Sequence, residues 1–258
     1  MTQPPVAFTP PVGPAGAPLL VLGPSLGTST ILWEDVIPAL AAQYGVTAWD
    51  LPGHGSAPAA SEPFTVGEVA DAVADGIRAL ADGPVLYAGV SFGGAVGLEL
   101  LLRHPELVSA AATVCSSPRF GDPQNWTDRA AQVRTQGTGA LVTGAAGRWF
   151  APGSIERRPE LSGRLLHSLR DADDTSYALC CEALAQYDVT SRLGEVAVPV
   201  LAVFGENDPV SPEIHARTIA FSVQNGRTAQ IDGASHLAPA EYPDEVASVL
   251  LDFFGGAR

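Results

Sequence analysis

Residues 84–103 read Pro84-Val85-Leu86-Tyr87-Ala88-Gly89-Val90-Ser91-Phe92-Gly93-Gly94-Ala95-Val96-Gly97-Leu98-Glu99-Leu100-Leu101-Leu102-Arg103. A short apolar run ends in Gly89-Val90-Ser91-Phe92-Gly93, and a helical pattern follows at once. The pattern G-x-S-x-G alone is weak, since this composition produces it in roughly one chain in six or seven. Its setting is specific: a serine between a strand and a helix sits on a sharp, strained turn with its hydroxyl exposed. The flanking glycines let strand and helix approach, and the helix N-terminus turns amides toward whatever the serine attacks. Ser91 is the candidate nucleophile.

Outward from this turn the same alternation recurs. Apolar runs stand at Leu19–Leu22, Val46–Trp49, Val85–Val90, Ala110–Cys115, Val198–Phe204 and Thr228–Ile231. Helical patterns stand at Ile31–Ala42, Val66–Ala81, Gly94–Arg103, Pro212–Ser222 and Tyr242–Phe254. Strands joined by helical crossovers predict an α/β protein with a mostly parallel, doubly wound sheet. From about Arg119 to Asp188 the rhythm breaks into helical segments with no convincing strand, so residues 119–188 are expected to form a helical insert after the strand ending near Cys115. Residues 1–118 and 189–258 are then the core.

Composition narrows the chemistry. All 14 basic residues are arginine, against 28 acids, for a net charge of −14. Without lysine there is no Schiff-base lysine and no P-loop lysine. So acidic a chain is a poor match for nucleic acid. Eight of the arginines fall in the insert against nine acids, so nearly all the negative charge lies in the core. Three cysteines, two of them adjacent, form neither a disulfide framework nor a metal-ligand spacing, and they suit a reducing compartment. The first residues carry no basic start or apolar stretch of signal length, and Val196–Phe204 is too short to cross a bilayer. The expectation is a cytoplasmic protein without membrane partner, metal or cofactor; homo-oligomerisation is left open.

A serine hydroxyl needs a base, and there are five histidines. His54 belongs to the turn Asp50-Leu51-Pro52-Gly53-His54-Gly55, His104 ends a helix before Pro105, and His167 and His215 lie in helical stretches. His236, in Gly233-Ala234-Ser235-His236, follows the last apolar run, where an α/β sheet ends near its ligand crevice. Chain order in such sites is serine, acid, histidine. Asp208, after Pro199–Phe204 in Gly205-Glu206-Asn207-Asp208-Pro209, is the candidate orienting acid, with Glu206 and Asp232 as rivals. An oxyanion hole needs two backbone donors. One is Phe92 N–H; the other belongs to Gly23-Pro24-Ser25-Leu26-Gly27, where Leu26 is the first choice and Ser25 the alternative, Pro24 having no N–H.

Together these segments resemble the 3-oxoadipate enol-lactonase family of the α/β-hydrolase superfamily. The superfamily part rests on Asp50–Gly55, Gly89–Gly94, Gly205–Asp208 and Gly233–His236. The narrower part rests on Ser25-Leu26-Gly27-Thr28 with Trp33, on Trp126 with Arg129 and Val133-Arg134, on Arg148-Trp149-Phe150, and on Tyr177–Leu184 before Asp188. The resemblance implies opening of a β-ketoadipate enol-lactone to 3-oxoadipate in aromatic-compound degradation, by a triad of Ser91, Asp208 and His236 beneath a helical cap. Pro24 and Phe92 depart from residues common in members, and neither removes a triad group. An anionic lactone or ester needs arginine or amide donors. Arg134 and Arg119, with Trp126 packing beside them and Trp149, are the expected substrate contacts, although the two tryptophans would serve equally as core anchors of the insert. The competing readings are a general carboxylesterase or a cofactor-free haloperoxidase or perhydrolase on the same triad, an acyltransferase, and a non-catalytic ligand receptor. Arginine lining the pocket, rather than apolar side chains alone, separates the lactonase from the first of these.

Overall fold

The computed structural model describes residues 3–256; Met1, Thr2, Ala257 and Arg258, the outermost positions of the expected core, lie outside them. The strands are β1 (Ala7–Phe8), β2 (Leu19–Gly23), β3 (Gly45–Asp50), β4 (Val85–Val90), β5 (Val108–Val114), β6 (Pro199–Gly205) and β7 (Asn225–Ile231). The α-helices of the core are α1 (Ile37–Leu40), α2 (Val66–Leu80) and α3 (Phe92–Arg103). Those of the insert are α4 (Pro123–Gln136), α5 (Val142–Trp149), α6 (Ser154–Arg157), α7 (Pro159–Asp171) and α8 (Asp174–Gln186). The chain returns to the core in α9 (Glu213–Ser222), α10 (Ala238–Glu241) and α11 (Pro243–Gly256).

The sheet runs β1-β3-β2-β4-β5-β6-β7, parallel from β3 to β7, with β1 antiparallel to β3. It is the α/β-hydrolase fold. Every residue of β4 is buried, as expected where helices cover both faces of a parallel sheet. β7 is an edge strand with mostly exposed side chains, which explains why only its last four residues read as apolar in the sequence. Strand order reverses between β2 and β4, whose ends are in register at Gly23 and Gly89. At that reversal the loops after the two strands lie side by side, the usual place for a ligand crevice.

Two local readings differ from the sequence expectation. The Pro-rich start supplies β1 and a bridge from Val12 to Val46 that periodicity could not reveal. Ile31–Ala42 is a 3-10 turn over Thr30–Trp33 followed by the short α1, not one helix. Trp33 turns inward to donate from Nε1 to Gly23 O at 2.9 Å, and Pro38 begins a new helical turn rather than continuing one. By contrast α2 begins where a capping box predicts, with Thr65 and Glu68 each accepting from the other's amide.

The insert packs α4 along α8. Its two ends meet where Arg119 and Asp188 form an antiparallel bridge and Val189 N–H donates to Pro118 O. Among the described residues no helix is long and apolar enough to cross a membrane.

Candidate active site

Ser91 takes φ 53° and ψ −111°, backbone angles a side chain rarely adopts. Its neighbours impose them: Ser91 N–H donates to Val114 O at 2.9 Å, and Ser116 Oγ–H donates to Ser91 O at 2.7 Å. A Cβ on Gly89 would stand 2.3 Å from Gly93 C, and one on Gly93 would stand 2.6 Å from Gly23 C. Both glycines are therefore required by close backbone approach, the physical content of the sequence pattern.

His236 and Asp208 are almost wholly buried, and His236 Nδ1 lies 2.9 Å from Asp208 Oδ2. A carboxylate can only accept, so a proton sits on Nδ1, and Nε2 is the ring nitrogen left for other chemistry. Asp208 Oδ1 accepts from Val210 N–H at 2.8 Å and Ser211 N–H at 3.1 Å. Burial pushes the Asp208 carboxyl up, but the charge and hydrogen bond of His236 and these two amides outweigh it and hold it below its ordinary value. The rival acids are engaged elsewhere on the surface: Glu206 accepts from Gly233 N–H, and Asp232 from Gln230 Nε2. Ser91 and His236 line one cavity of about 270 Å³ at the carboxyl ends of the strands.

Leu26 lines this cavity beside Ser91. Ser25 N–H is committed to Thr28 Oγ1 at 3.1 Å, whose own hydroxyl donates back to Ser25 O. Between the amides of Ser25 and Leu26, that of Leu26 is the one free of this bond. Phe92 opens α3, and the first amides of a helix have no partner within it.

The insert supplies the rest of the wall, and here the expected substrate contacts divide. Trp126 and Trp149 both line the cavity. Each is also an anchor: Trp126 Nε1–H donates to Phe120 O at 2.7 Å, and Trp149 is buried with its carbonyl accepting from Leu237 N–H. Arg134 and Arg119 do not reach the cavity. Arg134 points away on α4 into a bidentate ion pair with Glu182, and Arg119 is exposed at the base of the insert. Arg129 and Arg148 stand in their place. Arg129 Cζ lies 4.7 Å from the centre of the Trp126 ring, a cation–π contact. Trp126 and Arg129 are three apart on one helix and so share a face, a signal the sequence already carried. Arg148, half-buried, has its pKa lowered first by desolvation and then by the charge of Arg129. Among the described residues neither guanidinium is paired with a carboxylate. Tyr177, buried with its pKa raised by desolvation, lies beside both.

A model of the α/β-hydrolase fold family matches residues 18–243. The chain belongs to that family. It is 32% identical over 231 residues to 3-oxoadipate enol-lactonase 2 of Acinetobacter baylyi, covering 90% of this chain and 86% of that protein. A pimeloyl-[acyl-carrier protein] methyl ester esterase of Neisseria meningitidis is 30% identical, over 89% of this chain and 74% of that one. The crystal structure of the enol-lactonase from Burkholderia xenovorans LB400 superposes with a TM-score of 0.93 at 28% identity, covering 97% of this chain and 96% of that one. The resemblance seen in the sequence motifs thus extends to whole chains, and the chemistry of this α/β-hydrolase is that of a carboxylic-ester hydrolase.

Proposed function

We propose that the protein opens the enol-lactone of 3-oxoadipate, acting in aromatic-compound degradation. The observation that carries the reading is the pair Arg129 and Arg148: two guanidiniums without carboxylate partners among the described residues, lining the same cavity as Ser91 and His236 in a protein of net charge −14. Leaving such a pair together costs free energy unless an anion completes it. A substrate bearing a carboxylate beside its ester bond does so.

In this reading Ser91 Oγ attacks the lactone carbonyl while His236 Nε2 takes its proton, and Asp208 holds the imidazolium that forms. The developing oxyanion is met by the N–H groups of Leu26 and Phe92. Collapse of the tetrahedral intermediate breaks the ring C–O bond. The leaving enolate stays on the same molecule, now an acyl ester of Ser91; it takes up the proton that His236 removed from Ser91, which returns the imidazole to its neutral form, and tautomerises to the ketone. His236 then takes a proton from water, the hydroxide attacks the acyl carbonyl, and Ser91 leaves with the proton returned through His236. Departure of an enolate demands little acid assistance, so this site needs no second carboxylic acid. The three free, buried cysteines suit a reducing compartment, and the reading places the enzyme in the cytoplasm.

The test is enol-lactone consumption by the protein and by Ser91→Ala, beside an aryl acetate. Rapid lactone turnover, lost in the variant and far above the acetate rate, supports the lactonase. Acetate cleavage without lactone turnover keeps the nucleophile and discards the substrate.

A further inference from the structure

Glu241 is a buried carboxylate that this chemistry does not use. It closes α10, five residues after His236, and it accepts three short hydrogen bonds. Oε1 takes Ala151 N–H and Ser154 Oγ–H, both at 2.7 Å and both from the insert. Oε2 takes Ser235 N–H at 2.7 Å, the amide immediately before His236. Arg157 braces the same corner, donating to Ser154 Oγ at 2.7 Å and to Tyr242 OH at 3.1 Å. Two further bonds run across the same seam. Leu237 N–H donates to Trp149 O at 3.0 Å, and Ser235 Oγ–H donates to Arg148 O at 3.2 Å.

The residues on both sides of His236 are thus tied to residues 148–154 of the insert. That segment carries Arg148 and Trp149 into the cavity. A carboxylate can accept at both oxygens at once, as no neutral side chain of this shape can. Charge-assisted acceptors are also the shorter and stronger ones. A buried carboxylate held by three donors and one nearby guanidinium is costly as mere packing, since burial disfavours its charge. Its geometry serves a different end: it makes the base and the anion-binding wall one rigid body.

We propose that Glu241 is a positioning residue, clasping the His236 loop to the 148–154 segment so that a substrate carboxylate held by Arg148 presents its ester in register with Ser91 and His236. The proposal rests on the reading of Ser91 and His236 as the working pair and of Arg148 as an anion contact.

The test uses the full chain and two matched esters, 4-nitrophenyl hemisuccinate and the neutral 4-nitrophenyl butyrate. Working sites are counted by stoichiometric phosphorylation of Ser91 with a 4-nitrophenyl phosphate triester. Glu241→Gln keeps the shape but turns an NH2 toward one of the three donors. The expected result, per working site, is a fall in kcat of about tenfold to a hundredfold on both esters, because the base is displaced. KM rises only for the hemisuccinate, because the wall carrying Arg148 shifts with it. Ser154→Ala loosens the insert end alone and leaves the Ser235 amide held, so it should raise the hemisuccinate KM while changing kcat by less than about threefold. It also serves if Glu241→Gln does not fold. The proposal is overturned if kcat per site is unchanged and only the number of working sites falls, which is the signature of a structural role. It is equally overturned if Ser154→Ala leaves the ratio of the two KM values where it was. Failure of the underlying reading looks different: the wild-type protein would show no turnover that Ser91→Ala abolishes, or no preference for the charged ester.

Discussion

Replacing Arg148 with methionine tests the anion-binding wall and carries two opposite expectations. The side chain keeps its apolar stem and much of its volume but loses the guanidinium. A charge-assisted hydrogen bond to a substrate carboxylate contributes about 1.5–3 kcal/mol, so kcat/KM on a carboxylate-bearing ester should fall by roughly 10- to 150-fold. Arg129 remains in the cavity and still attracts the anion, which places the single variant toward the lower end; removing both should exceed either loss. A neutral ester of the same length should lose less than about threefold, since it never used the charge. Stability should move the other way. The Arg148 pKa is lowered first by desolvation and then by Arg129, so the folded state holds that charge reluctantly. The head is only half-buried and partly screened, so the gain on removal is at most about 1 kcal/mol, or some 2–4 °C in Tm. Initial rates on the two 4-nitrophenyl esters and thermal melts at low and high salt measure all of this. Salt should also narrow the wild-type preference for the charged ester. Equal losses on both esters, or a Tm several degrees lower, would refute the assignment and return Arg148 to a packing role.

Three other outcomes follow from the geometry. Ser91→Gly and Ser91→Ala should both be inactive, yet the glycine variant should be the more stable by about 1 kcal/mol in urea unfolding. It relieves backbone strain of about 1–3 kcal/mol at φ 53°, partly offset by the greater freedom of glycine in the unfolded chain; a less stable glycine variant would contradict the strain. Gly93→Ala places a methyl group 2.6 Å from Gly23 C and 2.7 Å from Pro24 O, so a loss of about 1–3 kcal/mol should accompany a displaced oxyanion loop and depressed kcat; unchanged stability would show the loop yields freely. The Glu241 carboxyl is raised above its ordinary value by burial, against weaker opposing hydrogen bonds and the Arg157 charge. Its contribution is therefore fully present below the unfolded value near 4.5 and is lost as pH rises through the higher folded value. Denaturation of wild type and Glu241→Gln from pH 4 to 8 should show the wild-type advantage shrinking as pH rises, whereas an advantage that grows would reverse the sign assigned to burial.

What was legible in the sequence was local. The signature of the turn around Ser91 lies within five positions of it, in glycines that close backbone approach requires, although the backbone that Gly93 approaches is the distant Gly23. The ends of β6 and β7 announce themselves by apolar runs breaking into short polar loops, so Asp208 and His236 stand out in the sequence as an acid and a base near one crevice; in the structure they lie 2.9 Å apart. The short β1 and the broken Ile31–Ala42 segment were not legible in this way. Their conformation follows from bonds to distant partners, Ala7 and Phe8 to β3 and Trp33 to Gly23. Periodicity carries no information about such partners.

The arginines show where this boundary falls. Arg129 and Arg134 are five apart on α4, about 140° around the helix axis, so both cannot face the cavity. Choosing between them required knowing which side of α4 meets the core and what stands opposite the other side. The structure answers with Glu182 on α8, which takes Arg134 in two hydrogen bonds, while Trp126 turns Arg129 inward. An arginine whose charge is met by a carboxylate of the protein has less of it to offer a ligand. Arg158 with Asp35 and Arg164 with Glu34 are spent in the same manner, joining the insert to the loop after Trp33. Four of the insert's eight arginines are thus consumed in surface ion pairs, and Arg129 and Arg148 are the two that line the cavity with no carboxylate partner among the described residues.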